Sequence, residues 1–343
     1  MSILKPMSLN EGDTIGLVSP SSCLAGLVPH RTERAISALR HLGFQVRLGE
    51  HALVTQGGLA GTAEERASDI NNFFSDSSVK GIVCLIGGLH YNQLLPHLDY
   101  NLIGQHPKVF MGYSDATVVQ LALFAKLGLV TFYGPAGLTQ FGEHPQPQSY
   151  TVENLRKAVM SSRAVGPVVP SPMWTDEVLD WFKKEDLTRP REMRENSGFQ
   201  WLRAGKAEGP LLGGCLPSMM HLRGTEYWPS FAGALLLLET PEGHDFRRGY
   251  ELARVDMDLA DLELSGVFDQ ISGLILGRGF GYREEEHRAL WELVAARTSR
   301  YGFPILANVD FGHSDPIITI PLGVTGRIDS SASEFSILDS GTV

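Results

Sequence analysis

The stretch Val109-Phe110-Met111-Gly112-Tyr113-Ser114-Asp115-Ala116-Thr117-Val118-Val119-Gln120-Leu121-Ala122-Leu123-Phe124 decides the fold. An apolar run, a polar break and a second apolar segment of helical length read as strand, sharp turn and helix. A serine at such a turn has its hydroxyl pushed out of the backbone. The helix amides behind it offer positive potential to a developing oxyanion. The same residues suit a simpler role, because Ser114 and Asp115 are both favoured helix N-caps. What separates the two readings lies in the rest of the chain.

Working outward, the first part alternates strand and helix signals. Strands are expected at Thr14–Val18, Phe44–Leu48, Gly81–Ile86, Val109–Met111 and Leu129–Tyr133, with helices over Arg31–Leu42 and Ala63–Phe74. Such alternation predicts an α/β fold with a mainly parallel sheet, whose sites gather at the carboxyl ends of its strands. Residues 162–208 change character, rich in proline, charge and tryptophan, and read as a linker with an excursion over the site. Regular structure resumes at Gly209. Strands are expected at Gly233–Leu238, Ile271–Leu276 and Ile305–Val309, helices over Val255–Phe268 and Glu284–Tyr301, and one or two hairpins over Ile317–Leu338. The expected division is an N-terminal α/β domain (1–165), the linker and excursion (166–208) and a C-terminal α/β domain (209–343).

Composition narrows the function classes. Of 343 residues, 43% are apolar and 20% charged, enough for a sizeable core. The formal net charge of −10 argues against nucleic acid or an anionic membrane surface as the main partner. The three cysteines, Cys23, Cys84 and Cys215, are far apart and form no CxxC pair, so neither a zinc site nor a disulfide framework is indicated. No apolar run approaches the roughly 20 residues of a bilayer span, and no signal core opens the chain, so the cytoplasm is expected.

A serine hydrolase needs a base near the serine and an acid to hold that base. His313, in Asp310-Phe311-Gly312-His313-Ser314-Asp315, follows a strand and a glycine, which makes it either a base or a surface-loop histidine. Glu239 ends the most apolar run in the chain, as an orienting acid or as a cap. The order Ser, Glu, His matches α/β-hydrolases, although the fifth elbow position here is Ala116 rather than glycine. Gly87-Gly88 offers close backbone approach from a second loop, so the amides near Gly88 and of Asp115 are candidates for an oxyanion hole, or simply belong to strand-ending turns. The glycine run Gly277-Arg278-Gly279-Phe280-Gly281 lacks the acidic residue that a dinucleotide site needs and reads better as a flexible connection.

Seven stretches taken together resemble the LD-carboxypeptidase family of serine peptidases (peptidase family S66). They are GDTIGLVSPSS (12–22), AGTAEERASDINNFFSD (60–76), IGGLHYNQLLPHLDY (86–100), MGYSDAT (111–117), LLGGCLPSMMHLRGT (211–225), LLLLET (235–240) and NVDFGHSDPIITIPLG (308–323). They run in order over nearly the whole chain. The resemblance implies Ser114 as nucleophile on an N-terminal α/β domain of flavodoxin or glutamine-amidotransferase type, His313 as base and Glu239 as the acid that orients it on a C-terminal α/β domain, and a site in the cleft between the two domains. It further implies no metal or cofactor, and a homodimer. One branch of the family trims terminal D-alanine from peptidoglycan tetrapeptides. The other, the microcin C self-immunity branch, cuts the amide joining an acyl group to a modified nucleotide. SPMWTDEVLDW (171–181) resembles the second branch, which makes a small peptidyl-nucleotide the expected partner. There Trp174 would stack on a nucleobase, or else pack the domain seam. Asp176 and Glu177 would meet a substrate amino group, or form a solvated charge pair. Cys215 stands where the resemblance leads one to expect asparagine. A non-catalytic two-domain binding protein, and a glutaminase-like subunit whose usual nucleophile is cysteine, are the competing classes.

Overall fold

The computed structural model describes residues 2–343. Five strands form the parallel part of the first sheet: β1 (Thr14–Val18), β2 (Gln45–Leu48), β3 (Val79–Cys84), β4 (Val109–Gly112) and β5 (Thr131–Tyr133). Their spatial order is β5-β4-β3-β1-β2, with every pair parallel. The central strands β3 and β4 are buried almost throughout, which is why they read as short apolar runs instead of alternating patterns. Leu129 and Val130, expected at the start of β5, precede it.

The second sheet has eight strands. Its parallel centre is Lys206–Cys215, Leu235–Glu239, Gly273–Gly277 and Ile305–Val309. Antiparallel strands flank it, among them Gln200–Arg203 beside Ile305–Val309 and the hairpin Thr325–Asp329/Glu334–Ile337 on the other side. The region expected to be linker and excursion therefore also contributes to this sheet, through Gln200–Arg203 and the edge strand Gly166–Pro167.

Three expectations need correction. The helix expected over Val255–Phe268 is two helices, Leu252–Leu264 and Val267–Gln270, split where Gly266 takes a left-handed φ of 72°. The helix expected to reach Tyr301 stops at Arg297. The expected hairpin region also splits: Ile320–Leu322 leaves the second sheet and pairs antiparallel with β5 of the first. The chain's last part is thereby sewn into its first.

The helix Ala116–Leu127 sits at the join of the two halves. It is apolar on all sides, and every residue from Ala116 to Leu123 is buried. One side packs on the first sheet and another on the short helix Leu216–Met220. Thr117 Oγ1 accepts a hydrogen bond from the Cys215 amide at 3.0 Å and donates to the Ser114 carbonyl at 2.7 Å. A Cβ added at Gly214 would come within 2.6 Å of that same Oγ1, so glycine is needed for the backbone to pass here.

Candidate active site

The parallel parts of the two sheets present their carboxyl ends to a common region. Ser114 follows β4, Gly87-Gly88 follow β3, Glu239 is the last residue of its strand, and His313 lies in the loop after Ile305–Val309.

Ser114 has φ 63°, the left-handed region that a non-glycine residue enters only at a cost on the order of 1–3 kcal/mol. Surrounding bonds hold it there. Its amide donates to the Tyr133 hydroxyl at 3.2 Å, and its carbonyl accepts from Thr117 N at 3.0 Å as well as from Thr117 Oγ1. A Cβ added at Gly87 would lie 2.9 Å from Ser114 Oγ and 3.5 Å from Asp115 N. Gly87 thus leaves open the space directly against the hydroxyl. At Gly88 a Cβ would meet Ser21 Oγ at 2.2 Å, and that hydroxyl accepts from the amides of Leu89 and His90, both at 3.2 Å. Among the described residues, the amides of Gly88 and Asp115 donate to no backbone carbonyl. The Asp115 carboxylate is buried and accepts from Tyr91 N at 3.1 Å, which ties the Ser114 turn to the Gly87–His90 loop. Burial pushes that carboxyl up to about 7, against the opposing pull of the Tyr91 and His90 amides.

His313 Nδ1 lies 2.8 Å from Glu239 Oε2. A carboxylate only accepts, so the imidazole donates from Nδ1 and keeps its lone pair on Nε2. Nε2 is buried and has no hydrogen-bond partner among the described residues, with Glu242 Oε2 3.6 Å away. Burial of the ring pulls its pKa down, but Glu239, with help from Glu242 and Asp315, outweighs that and holds it above the ordinary histidine value. Tyr113 sets its ring edge-on to the imidazole with 4.9 Å between centroids, and Phe280 does the same at 6.3 Å. The other Glu239 oxygen, Oε1, accepts from the Tyr133 hydroxyl at 2.6 Å. The structure therefore links Ser114, Glu239 and His313 through one buried tyrosine that the sequence reading did not single out. Its position at the end of β5 was the available signal.

The three residues read as substrate contacts all have protein partners. The Trp174 ring has the Arg194 guanidinium 4.0 Å and the Arg278 guanidinium 4.8 Å from its centre, and its indole N–H donates to the Glu195 carbonyl at 3.2 Å. Asp176 pairs with Arg194 and accepts from Gly281 N at 3.1 Å, one residue from the Phe280 ring beside His313. Glu177 pairs with Arg189 at 3.0 Å, within the excursion itself. Cys215 is a buried thiol, and its amide supports Thr117. Among the described residues no group of three or more His, Cys, Asp or Glu is placed to hold a metal.

The excursion is clamped to the first half. Asp186, buried, is met by His30 at 3.1 Å, Arg31 at 3.1 Å and Arg34. Arg191 pairs with Asp315 at 2.7 Å, two residues beyond His313, and with Glu143.

A serine on a left-handed strand–helix turn and an imidazole paired with a buried carboxylate fit a hydrolase of the serine-peptidase class. Residues 15–134 match the LD-carboxypeptidase N-terminal domain and residues 208–328 its C-terminal domain, so the chain belongs to the LD-carboxypeptidase family, peptidase S66. It is 32% identical to the microcin C7 self-immunity protein MccF of Escherichia coli over 96% of this chain and 94% of that protein. It is 28% identical to a probable murein peptide carboxypeptidase of Bacillus subtilis over 98% of this chain and 95% of that protein. The structure of MccF in complex with aspartyl sulfamoyl adenosine superimposes with a TM-score of 0.91 at 31% identity, covering 99% of this chain and 100% of that one. Among the described residues no helix is long and apolar enough to cross a membrane.

Proposed function

We propose that this serine peptidase hydrolyses the amide that joins an aminoacyl or peptidyl group to a nucleotide-like leaving group, using Ser114 as nucleophile, His313 as base and Glu239 as the acid that orients it. The observation that carries the reading is the 2.8 Å contact from His313 Nδ1 to Glu239 Oε2, which leaves Nε2 with a free lone pair. In this scheme Ser114 attacks the scissile carbonyl while His313 Nε2 takes its proton and later passes it to the leaving amine. Glu239 stabilises the imidazolium. The amides of Gly88 and Asp115 stabilise the tetrahedral oxyanion, each contributing on the order of 10²–10³ in turnover. Water then releases the acyl group from Ser114. Trp174 would receive the base and Asp176 or Glu177 a substrate amino group, which requires Arg194 and Arg189 to yield their present contacts. The proposal includes a homodimer in the cytoplasm, divided at residues 1–165, 166–208 and 209–343.

The nucleotide-like substrate is favoured by likeness to a protein whose structure holds aspartyl sulfamoyl adenosine. Removal of terminal D-alanine from a peptidoglycan tetrapeptide is the second reading, favoured by the murein peptide carboxypeptidase relative. Incubation with aspartyl sulfamoyl adenosine beside a tetrapeptide ending in D-alanine, with products read by mass, separates them. The proposal expects aspartate release from the first and slower or no loss of alanine from the second. Ser114→Ala is expected to remain folded and to lose at least about 10³-fold in turnover. Full turnover in that variant overturns the scheme.

A further inference from the structure

We infer that Tyr133 is a positioning residue of this site, its hydroxyl joining the backbone of the nucleophile to the acid that orients the base. The inference rests on the proposed roles of Ser114, Glu239 and His313. One chain of hydrogen bonds runs through the centre: Ser114 N–H to Tyr133 Oη at 3.2 Å, Tyr133 O–H to Glu239 Oε1 at 2.6 Å, and His313 Nδ1–H to Glu239 Oε2 at 2.8 Å. Tyr133 comes from the first sheet and Glu239 from the second, so the chain crosses between the halves of the molecule.

The direction of each bond is forced. A phenol has one proton. The Ser114 amide can only donate, so the hydroxyl accepts there, and its own proton goes to the carboxylate. Burial, reinforced by the neighbouring Glu239 charge, holds Tyr133 well above the ordinary tyrosine range, so the proton stays on it. Tyr133 is fully buried, and Phe311 and Tyr113 set their rings edge-on to it at 6.0 and 6.4 Å, which locks the ring in place.

Two consequences follow for chemistry. The Ser114 amide is engaged with Tyr133, which keeps the serine in its left-handed turn and leaves oxyanion stabilisation to the neighbouring amides. The Glu239 charge is shared between two donors, Tyr133 and His313, which moderates its field at the imidazole. Removing the phenol proton therefore strengthens the pull of Glu239 on imidazolium and makes His313 harder to deprotonate.

The test follows inactivation by a serine-reactive fluorophosphonate against pH, because that readout needs no knowledge of the natural substrate. Wild type should label at Ser114, and Ser114→Ala should not. If wild type fails to label, the proposed function falls, whatever Tyr133 does. Given labelling, Tyr133→Phe should react about 10- to 100-fold more slowly, with its acid limb displaced to higher pH by about half a unit or more. Incorporation of 3-fluorotyrosine at position 133 keeps the shape and gives a more acidic, stronger donor. It should displace the acid limb to lower pH, and it decides the matter alone if the Phe variant does not fold. Wild-type rate and an unmoved limb in a folded Tyr133→Phe protein, or an unmoved limb with fluorotyrosine, overturn the inference.

Discussion

Glu242 Oε2 lies 3.6 Å from His313 Nε2, on the side of the ring opposite the Glu239 contact. Two carboxylates thus bracket one imidazole. Glu239 is buried and Glu242 is exposed, so the first orients the ring and the second acts mainly through charge. Glu242 sits three residues beyond the end of its strand, and its charge meets His313 only through the tertiary fold.

This bracket sets an expected pH dependence. His313 must be neutral to accept the serine proton, and its neighbours hold its pKa above the ordinary histidine value. Activity should therefore fall as pH drops through a limb above about 6.5. Glu242→Gln removes one of the raising charges while keeping the shape, so the limb should move to lower pH, with kcat on the plateau changed less than about threefold. A pH series of kcat/KM on the two proteins measures this, and coincident limbs would show that Glu242 is screened by solvent. For stability the sign is the reverse of an acid's. A raised histidine contributes most below its unfolded value and loses that contribution as pH rises through its folded value.

Gly87 gives a steric prediction. Its φ is not left-handed, so the backbone itself tolerates alanine, yet the added Cβ would lie 2.9 Å from Ser114 Oγ. Gly87→Ala should lower turnover by about 10²-fold or more while shifting the thermal midpoint only slightly, since the crowding falls on the hydroxyl and on the space beside the Asp115 amide. Thermal unfolding measured alongside turnover checks both halves. Loss of fold and activity together would mark Gly87 as structural.

The buried Asp115 carboxyl predicts a stability trend. Its folded pKa, about 7, lies above its unfolded value near 3.8, so the native state prefers it protonated. Its contribution is full below pH 4 and is lost as pH rises through about 7. Asp115→Asn cannot ionise and can still accept from Tyr91 N. Relative to wild type, it should therefore gain stability between pH 4 and 8, by on the order of a few kcal/mol. Urea midpoints across that range test it, and parallel curves would mean that the carboxyl ionises freely.

The clamp on the excursion can be broken at one point. Asp186→Ala leaves Arg31, itself buried, without its carboxylate, though the Leu138 and Thr139 carbonyls still accept from it at 2.8 and 2.9 Å. The cost should be about 3 kcal/mol, the lower end of what breaking a buried ion pair entails. Limited proteolysis should then cut within residues 176–195 faster than in the wild-type chain. Unchanged cleavage would mean that the Arg191 pairs hold the segment alone.

Much of the architecture was legible in the sequence because it is written locally. The runs at Thr14–Val18, Val109–Gly112, Leu235–Glu239 and Ile305–Val309 are apolar enough to mark buried parallel strands, and the polar residue after each falls at a sheet's carboxyl end. That rule singles out Ser114 and Glu239, and brings His313 into view. It blurs where the local signal is weak. Gly266 divides a helix that its apolar spacing would have continued, and Gln200–Arg203 joins a sheet from inside a proline-rich, highly charged region.

By itself, the sequence determined that two layered α/β units would form, and which residues would stand at their strand ends, since burial periodicity is a property of each segment alone. Only the tertiary structure decided that Ile320–Leu322 would cross to the first sheet, that Tyr133 would reach Glu239, and that Glu242 would face His313. Each of these is a meeting of residues at least 70 positions apart along the chain. The free energy of such a contact depends on how the two halves dock, and no spacing along the chain encodes it.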